Sequence, residues 1–159
     1  MPVTWTFGGR NMSNFEPVVT RERMEHWARH ADATLFGCEQ DEDLILGMPE
    51  NVPLMCEYLD RADVPMDKRT VIVLAMAEML LLDRSDEWVS EGLAQTLTAA
   101  LVRNRDAVEA SYQGVVGLEA EVMLRRLLGQ PLPDGLPGWL QEKYSAAELG
   151  VAPDHRPTG

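Results

Sequence analysis

Residues 70–82 read TVIVLAMAEMLLL, from Thr70 to Leu82. Between Val71 and Leu82 the one charged side chain is Glu78. A helix drawn through the stretch is therefore apolar on every side, the pattern of a helix enclosed by a core. Carried back to Pro65, it predicts a central helix over about 65–82 that its neighbours must cover. A bilayer span needs about 20 consecutive apolar residues. This run is shorter and is flanked by Lys68, Arg69, Asp83 and Arg84, so no membrane association is expected.

On the N-terminal side, a helix is predicted from near Asn51 to about Arg61, with Pro53 in its first turn and Val52, Met55, Tyr58 and Leu59 on its buried face. Asp63-Val64-Pro65 then supplies a cap and an early proline for the central helix. So short a link predicts an antiparallel helical hairpin. On the C-terminal side, Ser85 or Ser90 caps a helix buried through Leu93, Leu97, Ala100 and Leu101 and ending near Arg103. Another starts at Asn104 with Ala107, Val108 and Tyr112 inward, and Leu118, Val122, Leu124, Leu127 and Leu128 predict a helix that Gly129 ends.

Further out, Val3, Trp5 and Phe7 alternate with polar residues before two glycines, which reads as a short extended arm. Met24, Trp27, Ala28, Ala31 and Leu35 recur at helical spacing and define an amphipathic first helix over about 20–33. Pro131, Pro133 and Pro137 interleave with Leu132, Leu136, Trp139 and Leu140 as a strap anchored by its apolar side chains. Ser145 and Glu148 have capping-box spacing for one last turn, before a tail, APDHRPTG. The expectation is an all-α fold: a single helical domain over 1–159, with a short N-terminal arm and a Pro-rich C-terminal strap. Six or seven helices would form a compact orthogonal or antiparallel bundle. Irregular stacking of helical hairpins is the alternative arrangement.

The 159 residues and 45% hydrophobic content suffice for one core. Twenty-six acids against 14 bases give a net charge of -12, which argues against nucleic acid and favours basic partners. Cys38 and Cys56 form no metal-type cluster, and the N-terminus shows no secretory pattern, so a reducing cytoplasm is expected. Twelve of the 14 bases are Arg, a bias in keeping with a GC-rich bacterial source.

Three features bear on chemistry. His26 and His30 stand four apart on the first helix with Glu22 one turn earlier, a spacing that places two imidazoles near one metal. They point away from the Met24–Trp27–Ala28 face, HWARH lacks the glutamate of the zinc-protease pattern, and no third ligand is fixed. Glu78, inside the apolar helix, has the setting of a carboxylate with a raised pKa, but a side chain paired with an arginine or lying at a bundle edge is the commoner reading of such a position. Cys38 reads as a small buried hydrophobe. No catalytic residue, metal site or cofactor is assigned.

The charge map is more informative. Residues 39–91 hold 14 acids against four bases, Arg61, Lys68, Arg69 and Arg84, for a net charge of -10. The candidate partner-binding residues are Glu39, Asp41, Glu42, Asp43, Asp60, Asp63, Asp83, Asp86, Glu87 and Glu91. A solvated face serving solubility produces such a pattern, and so does a patch that steers a basic partner.

The stretch NVPLMCEYLDRADVPMDKRTVIVLAMAEMLLLD, residues 51–83, resembles the helical hairpin of some immunity proteins that bacteria make against their own secreted toxins. These proteins share no single fold or motif, so no residue roles transfer. The resemblance implies inhibition by occlusion, in which an acidic surface covers the active site or substrate groove of a toxin, often a basic nuclease. The alternatives are a small helical enzyme or ligand binder using Glu78 or His26/His30, and a phage or regulatory adaptor.

Overall fold

The computed structural model describes residues 6–7, 10–11, 19–33, 46–81 and 91–144. Among these the fold is all-α, with seven α-helices. They are α1 (Arg21–Arg29), α2 (Val52–Leu59), α3 (Met66–Leu81), α4 (Glu91–Arg103), α5 (Arg105–Ser111), α6 (Leu118–Leu128) and α7 (Gly138–Lys143). A 3-10 turn, Pro49–Asn51, leads into α2. The N-terminal arm pairs with itself: β1 (Thr6–Phe7) lies antiparallel to β2 (Arg10–Asn11), with Thr6 opposite Asn11 and Phe7 opposite Arg10.

The predicted central helix is α3, which packs against α2, α4, α5 and α6. Ile72, Val73, Ala75, Met76 and Ala77 are fully buried on it. It is not enclosed all round, however. Val71, Leu74, Glu78 and Leu81 are half-buried. At 100° per residue these four fall on one stripe, so the helix leaves one edge partly open. The α2 prediction holds residue for residue, since Val52, Met55, Tyr58 and Leu59 are its buried set. On α4, Leu97, Ala100 and Leu101 are fully buried.

Other apolar expectations depart from the structure for local reasons. Helix α1 ends at Arg29, and His30 turns extended at φ -124°, so Ala31 leaves the helical stripe and is exposed. Leu136, Leu140 and Tyr144, at i, i+4 and i+8, anchor the strap and α7. Trp139, about 100° from Leu140, faces out at 58% exposure. Leu118, the first residue of α6, is also exposed.

Helix ends follow the expected chemistry. The Thr20 Oγ1 accepts the Arg23 N–H and caps α1. Gly129 takes φ 71°, and the N–H groups of Gly129 and Gln130 donate to the carbonyls of Arg126 and Arg125, the double hydrogen bond that closes a helix with a left-handed residue. Ser85, Ser90, Leu35, Cys38, the Ser145/Glu148 pair and the tail lie outside the described residues.

Candidate functional site

The turn between α2 and α3, residues 60–65, carries two of the candidate acids, and each is engaged within the chain. Asp60 accepts from Arg103 Nη2 at 3.1 Å and from Asn104 Nδ2 at 2.6 Å. Burial works against its carboxylate, but the hydrogen bonds from Asn104 and Arg103 win and hold its pKa below the ordinary value. Asp63 takes both Nε and Nη2 of Arg61, at 2.9 and 2.8 Å, and this pairing lowers its pKa.

Arg61 also reaches back to α1. Its Nη1 and Nη2 donate to the two oxygens of Glu25 at 2.8 and 3.1 Å, while its guanidinium lies 4.5 Å from the Tyr58 ring centroid. Tyr58 Oη adds a 2.5 Å hydrogen bond to Glu25. The Arg61 and Tyr58 hydrogen bonds bring the Glu25 pKa down to about 2. Alongside, Arg21 pairs with Glu57 and lowers its pKa too. Three acids of α2 and its turn, Glu57, Asp60 and Asp63, thus already have arginine partners.

Two cations in the first turn of α3 organise the same end of the molecule. Lys68 is buried, with its Nζ 3.4 and 3.3 Å from the carbonyl oxygens of Ala31 and Ala33 and 4.8 Å from the Trp27 ring centroid. Arg69, also buried, donates Nε to the Leu59 carbonyl at 2.9 Å and Nη2 to Asn104 Oδ1 at 2.9 Å, and pairs with Asp106 at 3.1 Å. Leu59 ends α2, so Arg69 supplies a donor to one of its orphan C-terminal carbonyls, where the helix dipole favours a cation. Asn104 in turn donates to Asp60 and to the Ala100 carbonyl. The Arg69–Asn104–Asp60 network was not foreseen. Its signal lay in helical spacing, because Arg69 shares the i, i+3, i+4, i+7 stripe with fully buried Ile72, Val73 and Met76.

The enzyme alternative rests on His26 and His30 of α1 or on Glu78 of α3. The His26 and His30 rings stack, with centroids 4.2 Å apart and planes 28° from parallel. His30 Nδ1 is 2.9 Å from the His26 carbonyl oxygen, to which it donates. Stacking holds the nitrogen lone pairs in nearly parallel planes and His30 Nδ1 is already engaged, a poor geometry for two ligands of one tetrahedral ion. Among the described residues, no group of three or more His, Cys, Asp and Glu side chains is placed to hold a metal. Glu78 lies on the half-open stripe of α3, and Cys56, half-buried on α2, has its thiol pKa raised by burial.

Of the ten candidate partner-binding acids, Glu39, Asp41, Glu42, Asp43, Asp83, Asp86 and Glu87 lie outside the described residues. Glu91 opens α4. These eight fall in two runs on either side of the α2–α3 pair: four acids without a base in 39–43, and four acids with Arg84 in 83–91. No helix among the described residues is long and apolar enough to cross a membrane. Comparison with protein-family models, with curated proteins and with solved structures gives no match.

Proposed function

We propose that this chain is an acidic protein-binding module that occludes a basic protein partner, and that it acts as an immunity-type inhibitor of a bacterial toxin in the cytoplasm. The observation that carries the reading is how the negative charge divides. Glu57, Asp60 and Asp63 spend theirs on Arg21, Arg103 and Arg61. The runs 39–43 and 83–91 hold eight acids against one base. Charge of one sign in two dense runs steers an oppositely charged partner, and its reach is about 10 Å at 0.1 M salt.

The test joins identification with mechanism. Copurification of the untagged chain from its native cell should return a stoichiometric basic protein. Reversal of Asp41, Asp43, Asp86 and Glu87 to Lys should slow association with that protein and flatten its salt dependence, while dissociation changes little. A folded reversed variant that associates as fast as the parent, with the same salt dependence, would refute the role given to these runs.

A further inference from the structure

An open cleft of about 370 Å³ lies between the last turn of α6, the strap and α7, in a part of the chain separate from the acidic runs. Its lining combines one cation, Arg126, with Leu132, Pro133, Leu136, Gln141 and Tyr144. Such a size sits at the small end of ligand sites, which span about 300–1,000 Å³. Arg126 is half-buried, yet its guanidinium makes no hydrogen bond or ion pair among the described residues. Its neighbours contrast with it. Arg125 is committed to Glu121, to the Pro131 carbonyl and to the Tyr112 ring, and Lys143 to Glu119.

The strap residues Asp134 and Gly135 line the same cleft. Gly135 takes a left-handed φ of 75° within a turn over residues 134–135, and the N–H groups of Asp134 and Gly135 carry no hydrogen bond among the described residues. Consecutive unclaimed N–H groups around a left-handed residue are the elements of backbone anion sites. Leu132, Pro133 and Leu136 add apolar surface to the lining, while Gln141 is tied to the Leu136 carbonyl by its Nε2 at 2.8 Å. Asp134 also lines the cleft, exposed and without an ion pair to Arg126. The acidic chain repels anions at long range, but that repulsion is screened within about 10 Å at 0.1 M salt, whereas a guanidinium–carboxylate contact is short-range and bidentate.

We infer that this cleft binds a small carboxylate with an apolar tail, the carboxylate on Arg126 and the tail against Leu132, Pro133 and Leu136. The test is an NMR titration of the whole chain with sodium hexanoate, with hexanamide and inorganic phosphate as comparisons. Hexanoate should shift the Gly135 and Leu136 amide resonances saturably. Hexanamide and Arg126→Gln should each weaken the response about tenfold or more, the scale of losing a hydrogen bond to a charged group. Arg126→Lys, which keeps the charge and loses the fork, should fall between. Absence of saturation, an unchanged response in Arg126→Gln, or equal saturation by hexanamide or phosphate would overturn the assignment.

Discussion

Replacing Arg69 with Met tests the reading of the α2–α3 turn most directly, because Met keeps the apolar stem and removes only the guanidinium. The side chain is 9% exposed and serves three acceptors: the Leu59 carbonyl, Asn104 Oδ1 and the Asp106 carboxylate. Two of these are buried contacts, and a stranded buried acceptor costs about 1–3 kcal/mol. Asp106 is 62% exposed, so water replaces its partner and the lost pair contributes at most about 1 kcal/mol. Asn104 Nδ2 keeps its bonds to Asp60 and the Ala100 carbonyl while Oδ1 loses its donor, so two stranded acceptors at the lower end of that range plus the exposed pair give about 3 kcal/mol. For a chain of this length that loss corresponds to a Tm lower by about 6–12 °C. Urea unfolding followed by far-ultraviolet circular dichroism should show it as a lower midpoint at constant slope. Asp106→Asn should cost under about 1 kcal/mol. A loss under about 1 kcal/mol for Arg69→Met would refute the idea that this guanidinium satisfies buried acceptors.

Two further outcomes follow from burial and charge. Met76→Ala should cost about 2–5 kcal/mol as a fully buried truncation, and Leu81→Ala clearly less because Leu81 sits on the half-open stripe; equal losses in urea unfolding would mean that this stripe is enclosed after all. Glu25, with its pKa held at about 2 by Arg61 and Tyr58, contributes stability that is complete above the unfolded carboxylate value of about 4.3 and is lost as pH falls through about 2. The stability gap between the parent and Glu25→Gln should therefore close between about pH 5 and pH 2, and a gap constant over that range would contradict the pairing.

The hydrophobic pattern made the helices legible because burial and helical period are written in the same residues. Val52, Met55, Tyr58 and Leu59 needed no tertiary information to be assigned inward. Trp139 misled because a large aromatic among prolines looks like an anchor, and only the register of Leu136, Leu140 and Tyr144 shows which face is covered. Lys68 and Arg69 read as flanking charge for a comparable reason. Cations in the first turn of a helix oppose its own dipole, so the pattern suggests solvated side chains. They are buried because each reaches carbonyls at or just beyond the end of another helix, Lys68 those of Ala31 and Ala33 and Arg69 that of Leu59. Those acceptors are 35 and 37 residues away for Lys68 and ten away for Arg69, and no local rule connects such positions.

The same non-locality changes how the acidic stretch should be counted. The net charge of -10 over residues 39–91 treats every acid in that window as uncompensated except by its four internal bases. Arg21 and Arg103 enter from outside it and sit on Glu57 and Asp60, while Arg61, inside it, divides its guanidinium between Asp63 and Glu25. A partner approaching the α2–α3 turn therefore meets ion pairs, and a basic side chain there must displace an arginine already in place. Reversing Asp60 or Asp63 acts first on the fold, by turning an attraction into a repulsion against Arg103 or Arg61. Under the proposed function, reversal in the runs 39–43 and 83–91 acts on capture, since those runs hold eight acids to a single arginine. If the chain works by electrostatic capture of a basic protein, the residues that decide the association rate are those of the two runs.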